Sequence, residues 1–154
     1  MTEAILTPEQ AQARADAAAD AMWSRDAVAQ AMAMERIEVT PGHATLRMRV
    51  RPDMVNGHHI CHGGLIFTLA DTAFAYACNS YNLNTVASAC HIDFLAPGRE
   101  GDLLEAVAVE RSASGRTGVY DVMVSVVGGK TVALFRGKSC RIKGEVSTRC
   151  ADAR

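Results

Sequence analysis

The most apolar stretch of the chain, LIFTLADTAFAYACN at 65–79, contains one charge, Asp71. An ionised carboxylate is costly to bury unless it is paired or solvated. The helical neighbours at three and four residues' distance, Phe67, Thr68, Phe74 and Ala75, offer no cation. A bond to a distant strand or to the Thr68 hydroxyl is one reading of Asp71. A catalytic carboxylate is the other, since perturbed acids gather at functional sites. Just upstream stands His62-Gly63-Gly64. At a helix start the first N–H groups have no intrahelical partner and carry partial positive charge. Glycine there lets a ligand oxygen approach the backbone, which is how an oxyanion hole is built. A simple tight turn would use the same residues. Asn56, followed by Gly57, is either a turn residue or a side-chain amide directed at the same place.

Spacing constrains these groups further. Asp71 lies eight residues after Gly63, which is ~12 Å along a helix at about 1.5 Å per residue. A base and an oxyanion donor serving one carbonyl must both come within about 3 Å of it. Either the two residues belong to different functions, or a two-fold axis sets Gly63 of one chain against Asp71 of another. A helix this apolar also needs more cover than one small sheet provides. Both features point to a dimer.

Other constellations are weaker. His58, His59, Cys61 and His62 are dense in potential ligands, but adjacent residues rarely converge on one tetrahedral ion and no second pair stands elsewhere. No metal is expected. The chain has no GxSxG elbow, GxGxxG or Walker pattern, and no serine triad or Cys–His–Asn set can be assembled. Asp93 and Asp121 fall in strand-like runs, where partnership with arginine is the simpler role. Arg99, Arg111, Arg116, Arg136 and Lys138 are expected to be mostly solvated, with one or two free to meet an anionic nucleotide tail.

The elements that must position these residues follow from patterning. Pro8 to Ala33 reads as helix, with Thr7, Pro8 and Gln10 supplying a capping box and a proline at the first helical position; its polar beginning is expected to fray. From Arg36 the texture alternates, and Ala44, Leu46, Met48 and Val50 share one face of a strand preceded by the turn Thr40-Pro41-Gly42. A loop from Pro52 to Cys61 leads into the buried helix. Strand-like runs follow at Thr85–Phe94, Leu103–Arg111, Gly118–Val127 and Thr131–Ile142, with Gly128-Gly129 a strong hairpin signal. Consecutive hairpins predict a meander of up to four strands. One antiparallel sheet packed on one helix is an α+β architecture.

Composition fits a single globular domain: 154 residues, 49% hydrophobic, net charge −1. The near-zero balance gives no general attraction to nucleic acid or to an anionic membrane. No apolar run reaches the ~18–20 residues of a membrane span. The N-terminus lacks the form of a secretion signal. Five widely spaced cysteines without a CxxC suit reduced thiols and a cytoplasmic location.

Taken together, MVNGHHICHGGLIFTLADTAFAYACNS, VASACHIDFLAPG, GVYDV and KTVALFRGKS closely resemble the acyl-CoA thioesterases of bacterial phenylacetic acid degradation, from about Met34 to Gly144. The resemblance implies a hotdog fold, in which an antiparallel sheet wraps a long central helix. It also implies dimers pairing into homotetramers, and hydrolysis of phenylacetyl-CoA or its ring-hydroxylated forms. A helical lead at 1–34, the hotdog domain at 35–144 and a flexible tail at 145–154 would make up the chain. By motif position Asp71 would be the catalytic carboxylate and Gly63 the oxyanion donor, with Asn56 and His62 lining the site. Gly64, Thr68 and Thr72 on the same helix are expected to contact substrate. No cofactor is required: a thiolate of parent pKa near ~8.5 leaves without a strong general acid. His59-Ile60 and the longer N-terminal segment depart from the pattern outside the catalytic set. Two alternatives stand beside this reading. A hotdog enoyl-CoA hydratase usually pairs Asp with a nearby His, and none follows Asp71 in the helix. An acyl-CoA-binding module without turnover would retain ligand unhydrolysed.

Overall fold

The computed structural model describes residues 5–148. The lead folds as two helices where one was expected. Helix α1, Pro8–Trp23, carries the full capping box of Thr7 and Gln10. Helix α2, Ala27–Ala31, starts afresh because the Asp26 side chain accepts the N–H of Ala29. The α1–α2 corner packs on the central helix, with the rings of Trp23 and Tyr76 6.2 Å apart.

Strands β1 (Glu35–Thr40) and β2 (His43–Arg49) form a hairpin around Pro41-Gly42, pairing Thr40 with His43. A short 3-10 turn at Pro52–Met54 leads through a loop to α3, Gly63–Asn79. Strands β3 (Leu83–Phe94), β4 (Leu103–Ser114), β5 (Thr117–Val126) and β6 (Thr131–Glu145) follow. All six join one antiparallel sheet in the order β1-β2-β4-β5-β6-β3. Helix α3 touches every strand, so the sheet wraps the helix as the expected hotdog architecture requires.

The meander, expected to take in up to four strands, holds three. Of the four strands after α3 only β4, β5 and β6 pair consecutively; β3 lies at the far edge, where Ile92 pairs with Phe135 and Phe94 with Ala133 of β6. Helix α3 crosses the sheet between β2 and β3, so the strands flanking it in sequence fall on opposite sides of the meander. Alternation in sequence reports that a strand is half-covered, not which neighbour it takes.

Phe74 packs at 5.5 Å from Tyr120 and 5.9 Å from Phe135, and Phe67 at 5.4 Å from Phe135. Close approach of α3 to β6 depends on Gly137, where an added Cβ would come within 2.8 Å of the Phe74 ring. One side of α3 is left incompletely covered. Gly64 is exposed, and Thr68, Asp71, Thr72 and Ala75, recurring at helical spacing, are only half-buried. Beside that stripe runs β3, an edge strand exposed on both faces through Val86–His91.

Ordered chain continues beyond residue 144: Glu145 ends β6, and Val146 and Ser147 are buried. Asn82 holds Ser147 by two bonds, accepting its N–H at 2.8 Å and donating to its carbonyl at 3.0 Å. Residues 149–154 of the expected tail lie outside the described residues.

Candidate active site

The start of α3 is a small accounting problem in N–H groups. The N–H of Cys61 donates to Gly98 and that of His62 to Met54, each at 2.8 Å. The N–H of Gly64 donates to Nδ1 of its own cap, His62, at 2.9 Å. Leu65 and Ile66 both donate to the His62 carbonyl. Among the described residues the N–H of Gly63 alone in this run has no acceptor. A helix N-terminus is thereby reduced to one open donor at a residue without a side chain. Because His62 Nδ1 accepts that bond, Nε2 is the ring nitrogen left to donate.

Asn56 is held at the same end of the helix. Its loop closes through the Val55–Cys61 bridge and the N–H of Asn56 donating to Ile60. Oδ1 accepts the N–H of His58 at 2.9 Å and of Ile60 at 3.4 Å. Those bonds fix the amide plane and leave Nδ2 as an unused donor among the described residues.

Asp71 stands two turns further along the unbroken α3, so the structure does not bring it to Gly63 within one chain. No hydrogen bond or ion pair reaches its carboxylate among the described residues. Thr68 donates its hydroxyl to the Gly64 carbonyl at 2.8 Å, and Thr72 to that of Thr68 at 2.7 Å. Both hydroxyls can accept from a ligand but have no proton left for Asp71. Burial holds the Asp71 carboxyl above the usual carboxylate range. A desolvated, unpartnered carboxylate is a stronger base than an exposed one and is left open to water or substrate.

Cys61, Cys78 and Cys90 offer no competing nucleophile. Burial, then the Asp102 charge, pushes the Cys61 thiol up to about 11. Burial chiefly pushes Cys78 up to about 12. Cys90 is raised by burial and by the nearby Asp71 carboxylate. All three stay thiols at neutral pH. Among the described residues no three His, Cys, Asp or Glu side chains converge as a metal site. On the outer face Asp121 bonds both Arg136, at 2.6 Å, and Arg111, at 3.0 Å. Asp93 pairs with His91 and not with an arginine. Phe94 went unnoticed in the sequence, yet its ring lies against Gly63. Parity along β3 would have placed it on the helix side once the strand was drawn.

These features match known proteins. A family model described as "Thioesterase superfamily" matches residues 58–133, from the loop before α3 into β6. The chain is also 54% identical over 129 residues to the acyl-coenzyme A thioesterase PaaI of Escherichia coli, covering 84% of this chain and 92% of that one. This chain belongs to the thioesterase superfamily. A solved structure of the E. coli PaaI protein from the phenylacetic acid degradation operon superposes with a TM-score of 0.85 at 52% identity, over 87% of this chain and 97% of that one. A mutant of the phenylacetic acid degradation protein PaaI from Thermus thermophilus gives 0.71 at 38% identity, over 74% and 97%. Helix α3 carries an open backbone N–H at Gly63 and an unpartnered carboxylate at Asp71, two turns apart.

Proposed function

We propose that this thioesterase hydrolyses arylacetyl-CoA esters, phenylacetyl-CoA or its ring-hydroxylated forms, at sites shared between two protomers. The observation that carries the reading is the pairing of a lone open N–H at Gly63 with an unpartnered, desolvated Asp71 on the same helix. In an isologous dimer with antiparallel α3 helices, Gly63 of one protomer faces Asp71 of its partner, and the helix stripe and the β3 edge are covered together. The Gly63 N–H receives the carbonyl oxygen as it becomes an oxyanion, with Asn56 Nδ2 and His62 Nε2 at the rim. Asp71 either takes a proton from water or attacks the carbonyl to give an anhydride that water then opens; in each case the CoA thiolate departs. Gly64, Thr68 and Thr72 line the path of the acyl group along the open face of α3.

The outer face of the sheet favours pairing of dimers into a homotetramer. Met123 and Leu134 stand roughly half exposed there above a cavity of about 550 Å³ rimmed by Arg111, Asp121 and Arg136. No helix among the described residues is long and apolar enough to cross a membrane. The four cysteines among the described residues are free, which suits the reducing cytoplasm, where we place the enzyme.

Release of free thiol from a panel of acyl-CoAs tests the reading. Phenylacetyl-CoA and hydroxyphenylacetyl-CoA should be turned over faster than acetyl-CoA. Tight binding of these esters without thiol release would contradict it and favour a binding module. Single turnover in labelled water separates the two routes: label found in Asp71 excludes pure base catalysis.

A further inference from the structure

Phe94 is the one phenylalanine of four that stands outside the core. Phe74 and Phe135 are 1% and 3% exposed and Phe67 packs on Phe135, whereas Phe94 is 53% exposed. Its position is nevertheless fixed. It is the last residue of β3, paired with Ala133, and the next N–H, that of Leu95, donates to Val132 at 2.8 Å. The ring points to the helix side of the sheet, and a Cβ placed on Gly63 would lie 3.1 Å from Cζ, 3.4 Å from Cε1 and 3.6 Å from Cε2. An open aromatic surface therefore borders the one open N–H of the α3 terminus.

We infer that Phe94 is a specificity-determining residue, the aromatic wall against which the ring of an arylacetyl group packs. The inference rests on the oxyanion role proposed for Gly63. With the thioester oxygen held at that N–H, a phenylacetyl ring one methylene from the carbonyl comes within reach of the Phe94 side chain. Aromatic pairs gain from offset or edge-on contact beyond the area they bury, and a flexible aliphatic chain gains only burial. A ring carried on a paired strand loses little freedom in making that contact. Gly63 takes part as well: a side chain there would occupy the gap between the donor and the ring.

The test is the ratio of kcat/KM for phenylacetyl-CoA to that for hexanoyl-CoA, in the intact protein and in two variants. Phe94→Leu, a change at a half-exposed position, should lower the ratio by about three- to tenfold. Phe94→Tyr should keep the ratio. Thermal unfolding of each variant identifies misfolding, and Phe94→Met, unbranched and less demanding of the site, replaces Phe94→Leu if the latter does not fold. Equal losses on both substrates, or a ratio as low in Phe94→Tyr as in Phe94→Leu, would overturn the role of the ring while leaving thioesterase function intact. Failure of the unaltered protein to hydrolyse either ester would instead remove the acyl-CoA reading and this inference with it.

Discussion

Asp71 carries the most consequential physics of any single residue. Its carboxyl titrates above an ordinary aspartate because burial disfavours the charged form. Activity that needs the carboxylate is therefore lost as pH falls through this raised value, and the acid limb of kcat/KM should lie above the parent pKa of ~3.9. The stability consequence has the opposite sense. A folded-state pKa above the unfolded one means the folded protein holds the proton more tightly, so the contribution is present at low pH and lost as pH rises through the folded value. Ionised Asp71 is thus a stability cost at neutral pH. Asp71→Asn should lower kcat by on the order of 10²–10⁴. It should also raise Tm at pH 7, and that advantage should shrink on acidification. Thermal scans at pH 4 and pH 7 beside the activity profile check both signs; a variant less stable than the parent at pH 7 would show that Asp71 has a stabilising partner.

At the level of elements, α3 is a helix whose N-terminal end has been edited. His62 caps Gly64 and so leaves one donor open at Gly63. His62→Ala should cost about 1 kcal/mol of capping energy, a fall in Tm of roughly 2–4 °C. His62→Asn, which supplies another side-chain acceptor, should recover most of that stability. Recovery of Tm by Asn without full recovery of kcat would assign His62 a contact with substrate as well as its capping role. Much at this scale was legible in the sequence. The apolar run at 65–79 and the Gly-rich start defined α3, and β-type alternation with turn dipeptides defined the strands within a few residues. The break at Ser24–Asp26 was signalled only by Asp26, a good cap inside an alanine-rich run. The edge position of β3 was not legible, because alternation carries no information about strand order. Nor was the role of Phe94 as a neighbour of Gly63, which depends on that order.

The whole molecule leaves two surfaces of one chain half-finished, the α3 stripe containing Asp71 and the long β3 edge beside it. Eight residues of helix separate Gly63 from Asp71, so the proposed site, which brings both to one carbonyl, calls for a second subunit. Under the proposed arrangement one chain supplies half of each site: the Gly63 N–H for one and the Asp71 carboxylate, two turns away, for the other. Complementation between two inactive variants tests this most directly. Gly63→Pro removes the N–H at a first helical position that tolerates proline, and the extended backbone of His62, φ −60° and ψ 129°, suits a residue preceding it. The added ring displaces Phe94 only in the site already disabled. Gly63→Pro and Asp71→Asn homodimers should each be inactive. Heterodimers isolated with two affinity tags should regain up to half of the parent activity, because one of their two sites then holds both native groups. Heterodimers of verified composition that stay as inactive as the parents would contradict the shared site.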